Sequence, residues 1–177
     1  MKIAIIGYSG AGKSTLAEKL SNYYSMPKLH MDTLQFQPGW KDSDREWMLT
    51  EMKNFITKHK SWVVDGNYSW CYYEERMQEA DQIIFLNFSP WTCLFRAFKR
   101  YLTYRGKVRE SMAAGCPERF DWEFIRWILW DGRTKNAKER YQWAQETCPE
   151  KVIIFRSQKE MDHFLENLAH NKKNQRV

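Results

Sequence analysis

The segment Gly7-Tyr8-Ser9-Gly10-Ala11-Gly12-Lys13-Ser14 follows directly on a short apolar run, Lys2 to Ile6, and restricts the fold more than any other stretch of the chain. Glycines at 7, 10 and 12 can take positive φ, which lets successive backbone N–H groups converge on one anion. Larger side chains at those positions would obstruct the approach. A helix that begins inside the turn adds its positive dipole end. The spacing GxxxxGK[ST] between a strand and a helix is that of a phosphate-binding P-loop, in which Lys13 reaches the β- and γ-phosphates as a point charge and Ser14 coordinates Mg²⁺. Gly7, Ser9, Gly10, Ala11, Gly12, Lys13, Ser14 and Thr15 are therefore the expected nucleotide-binding residues, with ATP and Mg²⁺ as cofactors. A glycine-rich turn also arises by chance, but here the strand before it and the helix after it supply the context the motif needs.

Five β-like runs alternate with helical stretches: Lys2 to Ile6, Lys28 to Met31, Trp62 to Asp65, Gln82 to Asn87 and Lys151 to Phe155. That alternation implies a parallel sheet covered by helices. The first helix is expected to run to about Tyr24 with Leu16, Ala17 and Leu20 as its apolar stripe, and Pro27 restarts the chain as strand. Ser43 and Glu46 fit a capping box, which places a second helix from there to about His59, after the Pro38-Gly39 turn. Ser157 and Glu160 repeat the pattern at the last helix. Ser89 followed by Pro90 reads as N-cap and first helical position. Trp91, Leu94, Phe95, Phe98 and Leu102 form the expected buried face of the helix they start, with Arg96 and Arg100 opposite. Residues 104–121 contain Gly106, Gly115 and Pro117 with little periodicity, the kind of insertion that moves as a lid. A long helix rich in Trp and Arg is expected after it, and the polar tail from His170 is expected to fray.

A chain of 177 residues has room for one α/β domain with a proper core. The expected organisation is one unit over 1–177, with an acceptor-binding segment at about 32–60 and the lid-like insertion at about 104–121. Lys and Arg number 28 against 22 Asp and Glu, which suits an anionic partner without saying which. Cys71, Cys93, Cys116 and Cys148 are dispersed without metal-ligand spacing, so reduced thiols are expected. No apolar run is long enough for a signal-peptide core or a membrane span. A soluble, cytoplasmic monomer is the expectation. The 9 Trp are read as core, including Trp122, Trp127 and Trp130.

Ligands of open parallel sheets bind beyond the carboxyl ends of the strands, which draws attention to Asp32 and Asp65. Asp65 closes Trp62-Val63-Val64-Asp65-Gly66, the arrangement that holds Mg²⁺ directly or through water in P-loop proteins. Asp32 is placed to accept the proton of an acceptor hydroxyl or to position that acceptor in line with the γ-phosphate. The alternative for each is a cap on a helix or turn. His30 is read as a strand residue. No Glu follows Asp65, no guanine-specifying Asn-Lys-x-Asp appears, and no Ser-Gly-Gly-Gln signature is present. Those absences favour phosphoryl transfer over a GTPase switch or a transporter ATPase.

Arg96, Lys99, Arg100, Arg105, Lys107 and Arg109 form the densest positive cluster. Singly, each suits a solvated helix face or loop. Together they suit an arginine clamp, with Arg96, Arg100 and Arg105 as catalytic candidates, because a cis arginine brought by a closing segment contributes about 10³–10⁵ in rate. Arg126, Arg133 and Arg140 are further candidates. The rival reading is a phosphate-backbone surface for DNA or RNA with nearby Trp and Tyr for stacking, although no recognised nucleic-acid module is present.

With these residues placed, the sequence resembles the adenylate-kinase-like branch of P-loop kinases. Phe36-Gln37-Pro38-Gly39-Trp40, Trp62-Val63-Val64-Asp65-Gly66-Asn67-Tyr68 and Gly115-Cys116-Pro117-Glu118-Arg119 are similar, along nearly the whole chain, to the FlaR-type family labelled "DNA topology modulation protein". The resemblance implies a three-layer P-loop NTPase fold of α/β class with a five-stranded parallel sheet, an acceptor-binding segment and a lid insertion. Val64-Asp65-Gly66 is similar to the Asp-Gly-x-Pro-Arg segment of adenylate kinases and departs from it at Asn67-Tyr68-Ser69. The expected activity is transfer of the ATP γ-phosphoryl group to a small acceptor such as a nucleotide or nucleoside. A nucleotide-regulated DNA-binding protein is the alternative.

Overall fold

A computed structural model describes the backbone of residues 1–174 and side chains as far as His170. In chain order the elements are β1 (Lys2–Gly7), α1 (Lys13–Tyr24), β2 (Lys28–His30), α2 (Met31–Gln35), β3 (Phe36–Gln37), β4 (Lys41–Asp42), α3 (Arg45–Lys58), β5 (Trp62–Asp65), α4 (Tyr73–Glu79), β6 (Gln82–Leu86), α5 (Pro90–Tyr104), α6 (Trp122–Leu129), α7 (Lys135–Thr147), β7 (Val152–Phe155) and α8 (Gln158–Asn174). The five expected runs are the five strands of one parallel sheet, in the order β2-β5-β1-β6-β7. Ile3, Ala4, Ile5 and Ile6 of the central strand are all buried, so both faces of β1 are covered, and such a strand has to be continuously apolar. This is a three-layer α/β fold of the P-loop NTPase type. The tail expected to fray from His170 stays helical to Asn174, and the rest of it lies outside the described residues.

Strand order determines what meets at the carboxyl edge. Because β5 lies between β2 and β1, His30 pairs in register with Asp65, and Ile5 pairs with it from the other side. The loop leaving β1 therefore opens over β5, at the switch point where the connections diverge.

Four local expectations need correction. The cap of α3 is Asp44, whose carboxylate accepts from the Trp47 N–H, so the helix starts later than a Ser43 cap would place it. On α5 the small residues Cys93 and Ala97 face the core, whereas Trp91, Phe95 and Leu102 are 70, 69 and 60 % exposed. Close approach is the reason: a Cβ on Gly10 would collide with the Cys93 carbonyl, which leaves no space for large rings on that side. Arg96 and Arg100 consequently turn toward the cleft. The long Trp/Arg helix is two helices, α6 and α7, separated by a 3₁₀ turn over Asp131–Arg133. Gly132 sits at that break, where a Cβ would lie 2.9 Å from the Trp127 carbonyl. Thr134 caps the second helix. Trp122, Trp127 and Trp130 are half or more exposed and are not core. At α8 the Ser157 half of the capping box forms as expected, Glu160 N–H donating to Ser157 Oγ, whereas the Glu160 carboxylate accepts from the N–H of Arg156 rather than that of Ser157.

Sequence periodicity gave no sign of the short β3–β4 ribbon around the Pro38-Gly39 turn. The segment between α5 and α6 docks on it. Met112, Ala113 and Cys116 form a small separate core with Phe36 and Trp40. The Gly39 N–H donates to the Gly115 carbonyl (2.9 Å), Trp40 Nε1–H donates to the Pro117 carbonyl (3.1 Å), and the Arg119 guanidinium stacks 4.6 Å from the Trp40 ring centroid.

Arg76 holds the loop that leaves β5. It is 1 % exposed, and its guanidinium donates to the carbonyls of Cys71 (3.2 Å), Gly66 (3.3 Å) and Tyr68 (3.3 Å). Burial pulls its pKa down to about 10, so it remains a cation at neutral pH. Replacing Arg76 with Met is expected to strand buried carbonyls and lower unfolding free energy by about 2–4 kcal/mol, read from urea denaturation. A loss below about 0.5 kcal/mol would mean that the loop holds itself.

Candidate active site

The phosphate loop is built as its glycines require. Gly7 and Gly12 take φ of 143° and 97°, and a Cβ on Gly7 would lie 2.6 Å from the Leu86 carbonyl oxygen. A Cβ on Gly12 would strike the Arg96 guanidinium, so that arginine lies directly against the start of α1. Lys13 Nζ donates to the Gly7 (2.9 Å) and Tyr8 (3.2 Å) carbonyls. Burial lowers its pKa below the ordinary lysine value, against the opposing pull of Asp32 and Asp65. Ser9, Gly10, Gly12, Lys13, Ser14 and Thr15 line the cleft. Ala11 does not: it faces the core, and its N–H is used inside the loop by the Tyr8 carbonyl (3.1 Å).

Ser14 Oγ donates to Asp65 Oδ2 (2.9 Å), and His30 Nδ1 lies 2.5 Å from Asp65 Oδ1. A hydroxyl and a carboxylate side by side are hard oxygen donors. No group of three or more metal-ligating side chains occurs among the described residues. This set fits Mg²⁺, which uses one or two protein oxygens and takes the rest of its shell from water and phosphate. His30 is thus more than a strand residue, because its contact fixes the carboxylate's orientation.

Asn67, absent from the expected site, clasps the first glycine. Its Oδ1 accepts from the Gly7 N–H (3.1 Å), and its Nδ2 donates to the Gly7 carbonyl (2.5 Å) and to the Tyr141 hydroxyl (2.9 Å). Next to it the Tyr68 hydroxyl donates to Asp32 Oδ1 (2.6 Å). These residues occupy the positions where the sequence departs from the adenylate-kinase pattern, which was the available signal. Asp32 lies on α2 and lines the same cleft, beside Gln35, Phe36 and Trp40. Trp127 Nε1–H donates to Ser9 Oγ (3.0 Å), bringing α6 over the loop.

The arginines divide. Arg96 reaches the Gln158 side chain at the start of α8. Arg100 donates twice to Glu118 Oε1, from Nε (2.9 Å) and Nη2 (2.6 Å). Burial lowers the pKa of Arg100, with Arg109 acting in the same direction. Arg126 and Arg140 line the cleft. Arg105 does not; its guanidinium packs over the Tyr101 ring at 6.0 Å. Arg133 braces the site from behind, 3.7 Å from the Tyr8 ring centroid and donating to the Phe88 carbonyl. The cleft lined by Lys13, Ser14, Asp32, Arg96, Arg100, Arg126 and Arg140 has a volume of about 1130 Å³.

No protein-family model matches the chain, and no curated protein matches it. Among solved structures it is similar to a deoxyadenosine kinase from M. mycoides with products dCMP and a flexible dCDP bound, at 18 % identity over 100 % of both chains and a TM-score of 0.51. The same kinase with bound dATP matches at 16 % identity over 98 % of this chain and 100 % of that one, TM-score 0.52. The YorR protein from Bacillus subtilis, in complex with phosphorylated GDP, matches at 14 % identity over 99 % of this chain and 98 % of that one, TM-score 0.53. At these identities the likeness is one of fold.

Burial, reinforced by Asp32 and Asp65, holds the Tyr68 phenol far above its ordinary pKa of 10.0, so it stays a donor. An acid whose folded pKa is raised contributes stability that is fully present below the unfolded value and is lost as pH climbs above it. The fold is therefore expected to weaken above about pH 10, and Tyr68→Phe to flatten that decline in urea midpoints between about pH 8 and pH 11. An unchanged alkaline slope in the variant would show that Tyr68 ionises as readily folded as unfolded.

Proposed function

We propose that this chain is an ATP-dependent phosphotransferase that moves the γ-phosphoryl group to the hydroxyl of a small acceptor of the nucleoside or nucleotide class. One observation carries the reading: the phosphate loop and the Asp32–Tyr68 pair open into the same cleft, with Arg100 in electrostatic reach of both Lys13 and Asp32. The acceptor class takes support from the deoxyadenosine kinase whose fold this chain shares.

In this mechanism the loop amides and Lys13 bind the triphosphate, and Ser14 and Asp65 would hold Mg²⁺, which would offset phosphate charge. Asp32, with Oδ1 engaged by Tyr68, keeps Oδ2 for the acceptor hydroxyl. The acceptor oxygen forms a bond to Pγ as the bond from Pγ to the bridging oxygen breaks. ADP leaves, and the hydroxyl proton passes to Asp32. Arg100 and Arg96 stabilise the charge spread over the phosphoryl oxygens. Segments 32–60 and 104–121 act as acceptor site and lid. Positioning and electrostatics supply most of the rate.

The FlaR-type resemblance is proposed on the same basis: Phe36 and Trp40, Gly66 to Tyr68, and Glu118 and Arg119 of its three motifs line the cleft. The DNA-binding alternative has fewer cations to draw on, because Arg96, Arg100 and Arg109 take protein partners inside the cleft. Duplex titration at two salt concentrations tests it, since multiple phosphate contacts demand a steep salt dependence.

A panel of nucleosides, nucleotides and other hydroxyl acceptors with γ-labelled ATP is expected to reveal transfer that Lys13→Ala abolishes while the circular dichroism spectrum is unchanged. Transfer persisting in that variant would sink the reading. Arg100→Ala is expected to lower kcat by about 10²–10³-fold with much less effect on ATP affinity. Equal losses in both would place Arg100 in ground-state binding.

A further inference from the structure

Glu118 is the most buried carboxylate outside the strand ends, its side chain 3 % exposed, and it lies in the insertion between α5 and α6. Two guanidiniums converge on it. Arg100 reaches Oε1 through Nε and Nη2, and Arg109 reaches Oε2 through Nε (2.5 Å). Arg109 Nη1 is also taken, by Ser111 Oγ (3.0 Å). The backbone pins Glu118 as well: its N–H donates to the Lys107 carbonyl (3.2 Å), and it forms an isolated bridge with Arg105.

The count of nitrogens is informative. After these contacts, Nη1 of Arg100 and Nη2 of Arg109 have no protein acceptor among the described residues, and both arginines line the cleft. Two adjacent cations repel one another when alone, and one buried carboxylate between them leaves a net single positive charge. Charge-assisted contacts to a planar guanidinium also fix its orientation, which a neutral acceptor does less well. Each arginine thus keeps one terminal nitrogen, with its two N–H groups, free of any protein acceptor among the described residues.

We infer that Glu118 is a positioning residue that holds Arg100 and Arg109 as a preformed two-pronged clamp for the phosphoryl group in transfer. The inference rests on the phosphotransferase reading above. Glu118 touches no substrate and acts through the two arginines, and its carboxylate stays on their Nε groups when nucleotide binds, leaving the free Nη donors to meet phosphoryl oxygens.

The test has two arms. In the wild-type chain the Nε–Hε resonances of Arg100 and Arg109 are expected to be shifted and protected from solvent exchange. On addition of Mg²⁺-ATP both should shift further and remain protected. Loss of protection would show that phosphate displaces Glu118, and absence of any response would show that the arginines do not meet nucleotide; either result overturns the inference. This arm needs neither turnover nor a folded variant, so failure of the clamp is read separately from failure of the phosphotransferase reading, which the acceptor panel tests. Where turnover is found, E118Q is expected to lower kcat by about 10²-fold with the KM for ATP changed by less than about 3-fold, since misplacing a clamp costs on this order. The same substitution made on R100A/R109A should cost nothing further, and E118D should recover part of the loss. An equal loss in both backgrounds, or an unchanged kcat, would make Glu118 a structural ion pair only.

Discussion

Both oxygens of the Asp65 carboxylate are engaged at the carboxyl end of β5, Oδ2 by Ser14 of α1 and Oδ1 by His30 of β2. The side chain is 5 % exposed, and a carboxylate so far from water is tolerated only when its lone pairs are met. Meeting them requires β5 to lie between β2 and β1, because only that order brings both partners to the same carboxylate. Sheet topology and site geometry thus depend on a single compensated charge. The following residues extend the constraint. Gly66 takes φ of 145° where a Cβ would lie 2.7 Å from that of Met31, which lets the chain turn tightly enough for Asn67 to clasp Gly7. Arg76 then fixes the turn from beneath.

What could be read from the sequence is what is encoded within a few residues. A strand, glycines at 7, 10 and 12 and Lys13 specify the phosphate loop locally, and β1, β5 and β6 are continuous apolar runs because the sheet is covered on both faces. The cap at Ser89 and the box at Ser157 and Glu160 are equally local. The face of α5 is not local information. Periodicity finds the stripe of large rings from Trp91 to Leu102, but which side is buried depends on how closely the helix approaches Gly10, and that approach selects Cys93 and Ala97. Ser43 fails as a cap because Asp44 accepts the Trp47 N–H, one residue beyond the Glu46 N–H that a Ser43 cap would take. Glu118 gave no signal of its own, since its partners are 18 and 9 residues away and a lone Glu in an aperiodic stretch looks like surface.

The insertion and the β3–β4 ribbon illustrate the same limit at the level of packing. Each is too short and irregular to read as a structural element, yet together they bury Met112, Ala113 and Cys116 against Phe36 and Trp40. Neither half has enough apolar surface alone, so the small core exists only as a joint product. Its position matters, because it carries Glu118 and Arg109 from one side and adjoins Asp32 and Gln35 on the other, joining the proposed acceptor wall to the arginines.

The cations of the cleft rest on acceptors of graded strength. Lys13 is held by the Gly7 and Tyr8 carbonyls and Arg96 by the Gln158 amide, all neutral, whereas Arg100 and Arg109 share a buried carboxylate. Charge-assisted bonds are roughly twice as strong as neutral ones, and burial raises the cost of breaking them. An entering polyanion therefore competes easily for Lys13 and Arg96 and poorly for the nitrogens held by Glu118. Burial disfavours the charge on Lys13, which an anion in the loop would favour. On the proposed reading, the cations that would move to meet a ligand rest on weak acceptors, and those that would act through a fixed geometry are tied to a strong one.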